Sequence, residues 1–562
     1  MSDHKYLVGI DFGTLSGRAV VVDAANGKQM GTAVTEYRYA VMDRTLTAGD
    51  NQPLPPEFAL QNPDDYLEVL ATAVPGAVKD AGVDPADIVG IGVDATSATV
   101  FFTDKDGEPL CNKPEFKNNI HAYVKLWKHH GAQNQADRLV KVAEARREPW
   151  LGRYGGVLSS ELLLPKALEV FEVAPEVYEA TDEIVNLLDW LTWRMTGNLT
   201  YAAGDSGYKR MYQDGTYPSH EYLEAVKPGF GNIFDDKMSH EVLPLGGKVG
   251  ELTEDMAKMM GLKAGTAVAS GNIDAHVVVA GTNAVRPGQL TAIMGTSSCY
   301  VVNGPEYHDC PGTFGTVDGG AVDGLWGFEG GQTAVGDIFA WFIDNCVPAS
   351  YYEEAEKRGI NIHELLVEKA AAQDVGQHGL VALDWHNGNR SILADAHLSG
   401  LIMGQTLTTT ADEMYLALLE GTAFGARVIV DNFEEHGIAI DEIVAAGGLL
   451  KNTFYMQLFA DITRRPITVS LAEQSGALGS AVFAAVAAGV YPDVYAAAAA
   501  MANVEHHAYV PDEDRARKYD ALFAIYKEMH DYFGRYNGQS PMHRLKDIKL
   551  QVFEEKRGYV AE

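Results

Sequence analysis

The chain has 562 residues, 44 of them basic and 77 acidic, for a formal net charge of -33. That balance excludes an extended nucleic-acid face, which needs clustered cations, and the length calls for more than one hydrophobic core. Cys111, Cys299, Cys310 and Cys346 show no CxxC or Cys/His ligand spacing and read as reduced core residues, while the lack of an apolar leader or membrane-length apolar run predicts a soluble, cytoplasmic protein with no membrane partner.

The first predicted elements form a hairpin. An apolar strand through Ile10 leads to Asp11, Gly13 and Thr14 make a turn, and Ser16 and Arg18 open a second strand. Gly13 and Gly17 permit close backbone approach, so N–H groups and the Thr14 and Ser16 hydroxyls can face an anion. Asp11 has the chemistry of a hard oxygen ligand for Mg²⁺, directly or through water; a plain Gly-containing turn with an acidic strand end is the alternative. After the breakers Gly49, Pro53, Pro55 and Pro56, the spacing of Tyr66, Leu67, Leu70, Val74 and Val78 predicts an amphipathic helix from Pro63 to near Gly82. A strand from Ile88 to Val93 then delivers Asp94, Thr96, Ser97 and Thr99 at its C-terminal end, where open α/β sheets bind ligands. Asp94 also suits a turn or a helix cap.

Residues 126–147 read as a helix, and His121, His129 and His130, without a complete ligand set, read as solvated or substrate-adjacent. The polar run Ser159, Ser160, Glu161 and Lys166 forms either a pocket wall or a helix cap. Lys209 and Arg210 follow a glycine-bearing segment expected to be a flexible loop, and by pattern alone they are surface cations. Asp274 follows a strand and opens an apolar helical segment. It either caps that helix or projects from its N-terminus into a cleft, where the helix dipole favours its ionised form. A boundary between halves is expected near residues 285–288.

Leu290 to Val302 partly repeats the first hairpin, with Gly295, Thr296 and Ser297 at its turn. Two such hairpins suggest two related halves closing on one phosphate chain. Glu329 falls on a Gly-rich loop before a helix from Asp337 to Phe342. A long helix from Met414 to Phe433 and a strand from Ile443 to Ala446 lead to Gly447, Gly448 and Asn452, a glycine pair suited to close nucleotide approach before the next helix. An Ala-rich helix at 476–489, a helix from Asp512 to Phe533 and a charged, peripheral tail complete the chain.

Gly9-Ile-Asp-Phe-Gly-Thr with Ser16 and Arg18, Gly295-Thr-Ser, Gly447-Gly with Asn452, and Gly400-Leu-Ile-Met-Gly followed by Glu413 to Glu420 resemble the motifs of the FGGY family of carbohydrate kinases, in order over residues 5–500. Gly92-Val-Asp-Ala-Thr, Ser159-Ser-Glu, Gly207-Tyr-Lys, Gly271-Asn-Ile-Asp-Ala-His and Gly331-Gln-Thr-Ala-Val-Gly resemble the members that phosphorylate L-ribulose. Gln405, where an aliphatic residue is usual, and Gly330, where alanine is expected, depart from the pattern. The resemblance implies an α/β protein of two actin-like, ribonuclease-H-like domains with an ATP and sugar cleft between them: residues 1–284 mainly sugar-binding, 285–500 mainly ATP-binding, and 501–562 a helical extension.

It further implies Mg²⁺-ATP as phosphoryl donor, the C5 hydroxyl of L-ribulose as acceptor in L-arabinose catabolism, and a homodimer. Asp274 would be the catalytic base and, with Asp11, a metal residue; Asp94, Ala95, Lys209, Asp274 and Glu329 would surround the ketopentose. Thr14, Ser16, Arg18, Gly295, Thr296, Ser297, Gly447, Gly448 and Asn452 would hold ATP. The alternatives are a kinase of D-ribulose, xylulose or another polyol, an actin-like ATPase that clamps a protein partner, and a catalytically dead sugar sensor. The short 501–562 segment counts against the clamp, and Asp11 with Asp274 counts against the sensor.

Overall fold

The structure is a computed structural model that describes residues 4–536 and 540–557. In the N-terminal half, β1 (Tyr6–Phe12), β2 (Ser16–Asp23) and β3 (Gln29–Glu36) form an antiparallel meander, and β4 (Ile88–Ala95) lies parallel to β1 on its other side. The sheet continues through β5 (Lys248–Glu251), β6 (Ala267–Ala269) and a short β7 (Asn272–Ile273), in the order β5-β6-β4-β1-β2-β3, with β7 also paired to β4. Leu7, Val8 and Ile10 of β1 are fully buried, as a strand covered on both faces requires.

The C-terminal half repeats this plan. There β8 (Gly288–Met294) and β9 (Ser298–Gly304) form the hairpin, β10 (Gly315–Asp318) and β11 (Trp326–Gln332) extend it, and β12 (Ile440–Ala446) lies parallel to β8. Beyond it come β13 (Ile467–Ser470) and β14 (Val504–Tyr509), the latter antiparallel like its counterpart β5. Residues 504–509 therefore complete the second sheet, so the expected helical extension is partly a sheet strand. Glu329 likewise stands on β11 rather than on a loop.

Among the helices, α1 (Pro63–Ala81) has Asn62 as its cap, accepting from the Asp64 N–H, and stops at Gly82 in the left-handed region (φ 66°). α2 (Leu163–Val173) and α3 (Ala203–Lys209) back the N-terminal half, and α4 (Asp274–Gly281) leads out of β7. α5 (Ala411–Glu435) runs through the second core; α6 (Ser475–Ala487), α7 (Glu513–Gly534) and α8 (Pro541–Arg557) follow.

Helix α6 ties the halves together. Its backbone lies so close to the first sheet that a Cβ on Gly9 would stand 1.8 Å from the Ala477 carbonyl, and one on Gly92 1.9 Å from that of Ser480. Small residues on α6 meet Leu7, Val20, Val22 and Val277 in a separate core, so this helix of the C-terminal half packs on the N-terminal sheet.

Three local expectations change. Residues 126–132 are not helical; a helix begins only at Gln133, because Leu126 and His130 make backbone bonds to Ala59 and Glu57. Lys209 and Arg210 end a helix and are buried, since each has acidic company: Arg210 donates to Asp189 at 2.6 Å. All four cysteines are free thiols, but only Cys111 and Cys310 are buried. Among the described residues, no helix is long and apolar enough to cross a membrane.

Candidate active site

A cavity of about 1300 Å³ opens between the halves. Its N-terminal wall is made by the ends of three strands. Asp11 and Asp94 are register partners on β1 and β4, and Asn272 of β7 pairs with Asp94, so Asp274 follows one strand further along at the same end. Asp11 and Asp274 line the cavity, whereas Asp94 lies fully buried behind them.

These carboxyls are charge-starved. Burial raises Asp11 above the usual carboxylate range, countered in part by a hydrogen bond with Asp94 and then by Arg18, its cross-strand neighbour on β2. Burial and then the Asp11 charge raise Asp94 strongly; Ser480 of α6 donates to its Oδ2 at 2.6 Å, while among the described residues its Oδ1 finds no donor. Asp274 is pushed up to about 7, first by burial and then by Asp11, against the pull of the Ala275 N–H and Lys209. It occupies the first turn of α4 instead of capping it: Ile273 is the cap residue, and Asp274 Oδ1 accepts only from Ala275 N–H, at 2.7 Å.

The C-terminal half contributes Glu329 to the cavity. Arg390 donates to its Oε1 at 2.9 Å, and His276 Nε2 and Lys209 Nζ approach Oε2 at 3.1 and 3.5 Å. Burial alone would raise the Glu329 carboxyl, but Lys209, the hydrogen bond from His276 and Arg390 together hold it ionised, well below the usual carboxylate range. Glu329, His276 and Cys299 also bring three potential ligand atoms within 4.8 Å of one another. The positive charges of Lys209 and Arg390 already on Glu329 oppose a metal ion there.

At the C-terminal side, the β8–β9 turn presents Gly295, Thr296 and Ser297 to the cavity, with the Gly295 N–H bonded to the Ser297 carbonyl. Gly447, at the end of β12, has φ 109° and a Cβ position 2.4 Å from the Met294 carbonyl, so only glycine fits against that turn. The structure thus brings Asp11, Lys209, Asp274, Gly295, Thr296, Ser297, Glu329 and Gly447 to one cavity.

It leaves other expected residues outside the lining. The Thr14 hydroxyl accepts from Trp127 Nε1 at 3.1 Å; the Ser16 carbonyl accepts from the Gly13 N–H. Arg18 faces Asp11 across the hairpin, and Ala95 is buried between Phe12 and Ile273. Gly448 begins a short 3₁₀ turn, and Asn452 caps the next helix by accepting from the Tyr455 N–H. A Cβ on Gly330 would press on Ile429 at 2.9 Å, so the departure at that position answers to core packing.

His276, which ends the Gly271-Asn-Ile-Asp-Ala-His motif without a role of its own, lines the cavity, as do Arg390, Asn387 and Asn389, which the sequence reading does not single out. Asn387-Gly-Asn-Arg is a polar, turn-rich run between apolar segments, and that was the available signal. The earlier polar run divides: Ser159, Ser160 and Glu161 form cavity wall, while Lys166 is fully buried and donates to the carbonyls of Ala98 and Leu126 at 2.6 and 2.8 Å. Of the histidines, His130 reaches the cavity, but His129 is fully buried against Glu169.

Comparison with known proteins matches residues 6–281 to the N-terminal domain, and residues 290–488 to the C-terminal domain, of the FGGY family of carbohydrate kinases. The chain is 50% identical over 533 residues to a ribulokinase of Mycolicibacterium smegmatis, covering 95% of each chain. It is 46% identical to a ribulokinase of Geobacillus thermodenitrificans, covering 97% of each. Similar folds include a gluconate kinase from Lactobacillus acidophilus (TM-score 0.77, 19% identity, 95% of this chain and 99% of that one). A Plasmodium falciparum glycerol kinase with ADP also shares the fold (TM-score 0.73, 16% identity, 94% and 98%).

Proposed function

Since the chain belongs to the FGGY family of carbohydrate kinases and is a sugar kinase of the ribulokinase type, we propose that it transfers the γ-phosphoryl group of Mg²⁺-ATP to the C5 hydroxyl of L-ribulose, a step of L-arabinose catabolism. The observation that carries this reading is the cavity that gathers Asp274, the Glu329 cluster and the Gly295–Ser297 turn. Phosphoryl transfer asks the protein mainly to align the hydroxyl, neutralise charge and exclude water.

Asp274 accepts the hydroxyl proton. A carboxylate held at about 7 is matched to proton transfer near neutral pH, and the oxygen not engaged by Ala275 is available for it. Glu329, ionised and clamped by Arg390, His276 and Lys209, offers fixed acceptor oxygens to sugar hydroxyls, while Lys209 supplies a donor. Gly295, Thr296, Ser297 and Gly447 bring backbone N–H groups and hydroxyls to phosphate oxygens. Thr14, Ser16, Arg18, Gly448 and Asn452 extend the ATP site, and Asp94 and Ala95 set the depth of the sugar pocket behind Asp274.

Asp11 and Asp274 are hard oxygen donors whose mutual repulsion in a buried cavity suits a divalent cation. When bound, Mg²⁺ would neutralise developing phosphate charge, held by those two carboxylates.

A coupled ADP-release assay with Mg²⁺-ATP against L-ribulose, D-ribulose, D-xylulose, L-xylulose, ribitol, arabitol and glycerol tests the assignment. Preference for L-ribulose is expected. Preference for another polyol would keep the kinase and overturn the substrate; release that ignores sugar would favour a protein-clamping ATPase.

A further inference from the structure

The loop at 387–396 supplies a whole stretch of cavity wall: Asn387, Asn389, Arg390, Ala394 and Ala396 all face the space that holds Asp274 and Glu329. Arg390 is the member that grips Glu329. The outer side of the same loop is held by α8, at the far end of the chain. His543 Nε2 lies 2.6 Å from Asp395 Oδ2, Lys546 Nζ donates to the Ala396 carbonyl at 2.6 Å, and Met542 is buried with its sulfur 3.5 Å from the Ser399 N–H.

The histidine is oriented for this contact. Its Nδ1 accepts from the Ser540 N–H at 3.2 Å, which places the ring proton on Nε2, where it donates to Asp395. Asp395 is itself tied to the loop's own turn: its Oδ1 accepts from the His397 N–H, and its backbone exchanges two hydrogen bonds with Asn389, the residue before Arg390. One chain of contacts therefore runs from α8 through His543, Asp395 and Asn389 to Arg390 and Glu329.

We propose that α8 braces the sugar-facing loop, with His543 and Lys546 as positioning residues that hold Arg390 on Glu329. This rests on the reading of Glu329 as a sugar-binding residue. The contacts that α8 makes through Met542, His543 and Lys546 fall on Ser399, Asp395 and Ala396 and not on the turns at Gly295 and Gly447, so the brace acts on sugar binding and leaves ATP binding alone.

The test uses the full-length protein and steady-state kinetics with each substrate varied in turn. His543→Ala is expected to raise KM for the accepted sugar by about 10-fold, as small displacements of a binding group do, with KM for ATP within about twofold of wild type. His543→Gln, whose amide can still donate to Asp395, should recover most of the loss. Asp395→Ala should reproduce it, and combining it with His543→Ala should add little further, since both remove one link. Lys546→Met should shift the sugar KM in the same direction.

Sugar KM unchanged in both His543→Ala and Lys546→Met would overturn the brace, as would equal rises in both KM values. So would a His543→Gln variant no better than His543→Ala. If the wild-type enzyme prefers a sugar other than L-ribulose, the substrate assignment fails while these ratios, measured on the preferred sugar, still decide the brace. A Glu329→Gln variant with an unchanged sugar KM would instead remove the premise.

Discussion

Asp11 and Asp94 stand level with each other on two neighbouring parallel strands, and burial raises both carboxyls. A carboxyl whose folded pKa lies above its unfolded value contributes stability at low pH and loses it as pH rises through the folded value. Asp94→Asn keeps an acceptor for Ser480 and replaces the protonated carboxyl's donor toward Asp11 with one that does not titrate. Its Tm without divalent cations should match or exceed that of wild type at pH 8, with the difference shrinking toward pH 5. A variant less stable than wild type at both pH values would show that Asp94 acts as a compensated anion.

Asp274 gives a kinetic counterpart. With its carboxyl at about 7, the active, deprotonated form is lost as pH falls below that value, so kcat/KM should decline on the acid side. Mg²⁺ should move this limb to lower pH by favouring the anion. Asp274→Asn should cut kcat by about 10²-fold or more while leaving calorimetric binding of ATP and sugar intact. Its melting temperature should also respond less to added Mg²⁺ than that of wild type, a readout independent of turnover.

Removing the Glu329 charge leaves Lys209, Arg390 and His276 gathered round a neutral group. Glu329→Gln should lower unfolding free energy in urea by about 3 kcal/mol, the cost of breaking a buried pair, and raise sugar KM more than ATP KM. Unchanged stability would mean that the cations find solvent once the carboxylate is gone.

The junction between halves makes a purely steric prediction. A Cβ on Gly9 would collide with the Ala477 carbonyl, and that carbonyl belongs to a helix backbone that cannot turn aside. Gly9→Ala should cost about 3 kcal/mol or more and reduce soluble yield, whereas alanine at Gly82, with nothing within 4 Å of its Cβ, should cost far less despite φ 66°. Equal melting curves for the two variants would contradict the close approach of α6.

Much of the plan was legible because it depends on local pattern. The apolar strand before Asp11, its echo before Gly295, the helix from Pro63 and the strand before Gly447 each follow from periodicity, glycine and proline over a short window. The two hairpins even pointed to two related halves, and the sheets share one strand order around the hairpin, with β10 as a further edge strand in the second.

What lay beyond reach was pairing across sequence distance. Lys209 and Arg210 read as surface cations because nothing near them in sequence announces Glu329 or Asp189. Asp94 reads from sequence as either a ligand-facing strand end or a turn or cap residue, and its hydrogen bond from Ser480, 386 positions later, is not visible there. The strands, their polar ends and hence which residue types reach the cavity mouth follow from neighbours along the chain. Which charges are buried, which acid each cation holds and how the C-terminal helix meets the loop of Arg390 emerge from the folded arrangement alone, because burial and Coulomb energy depend on distance in space.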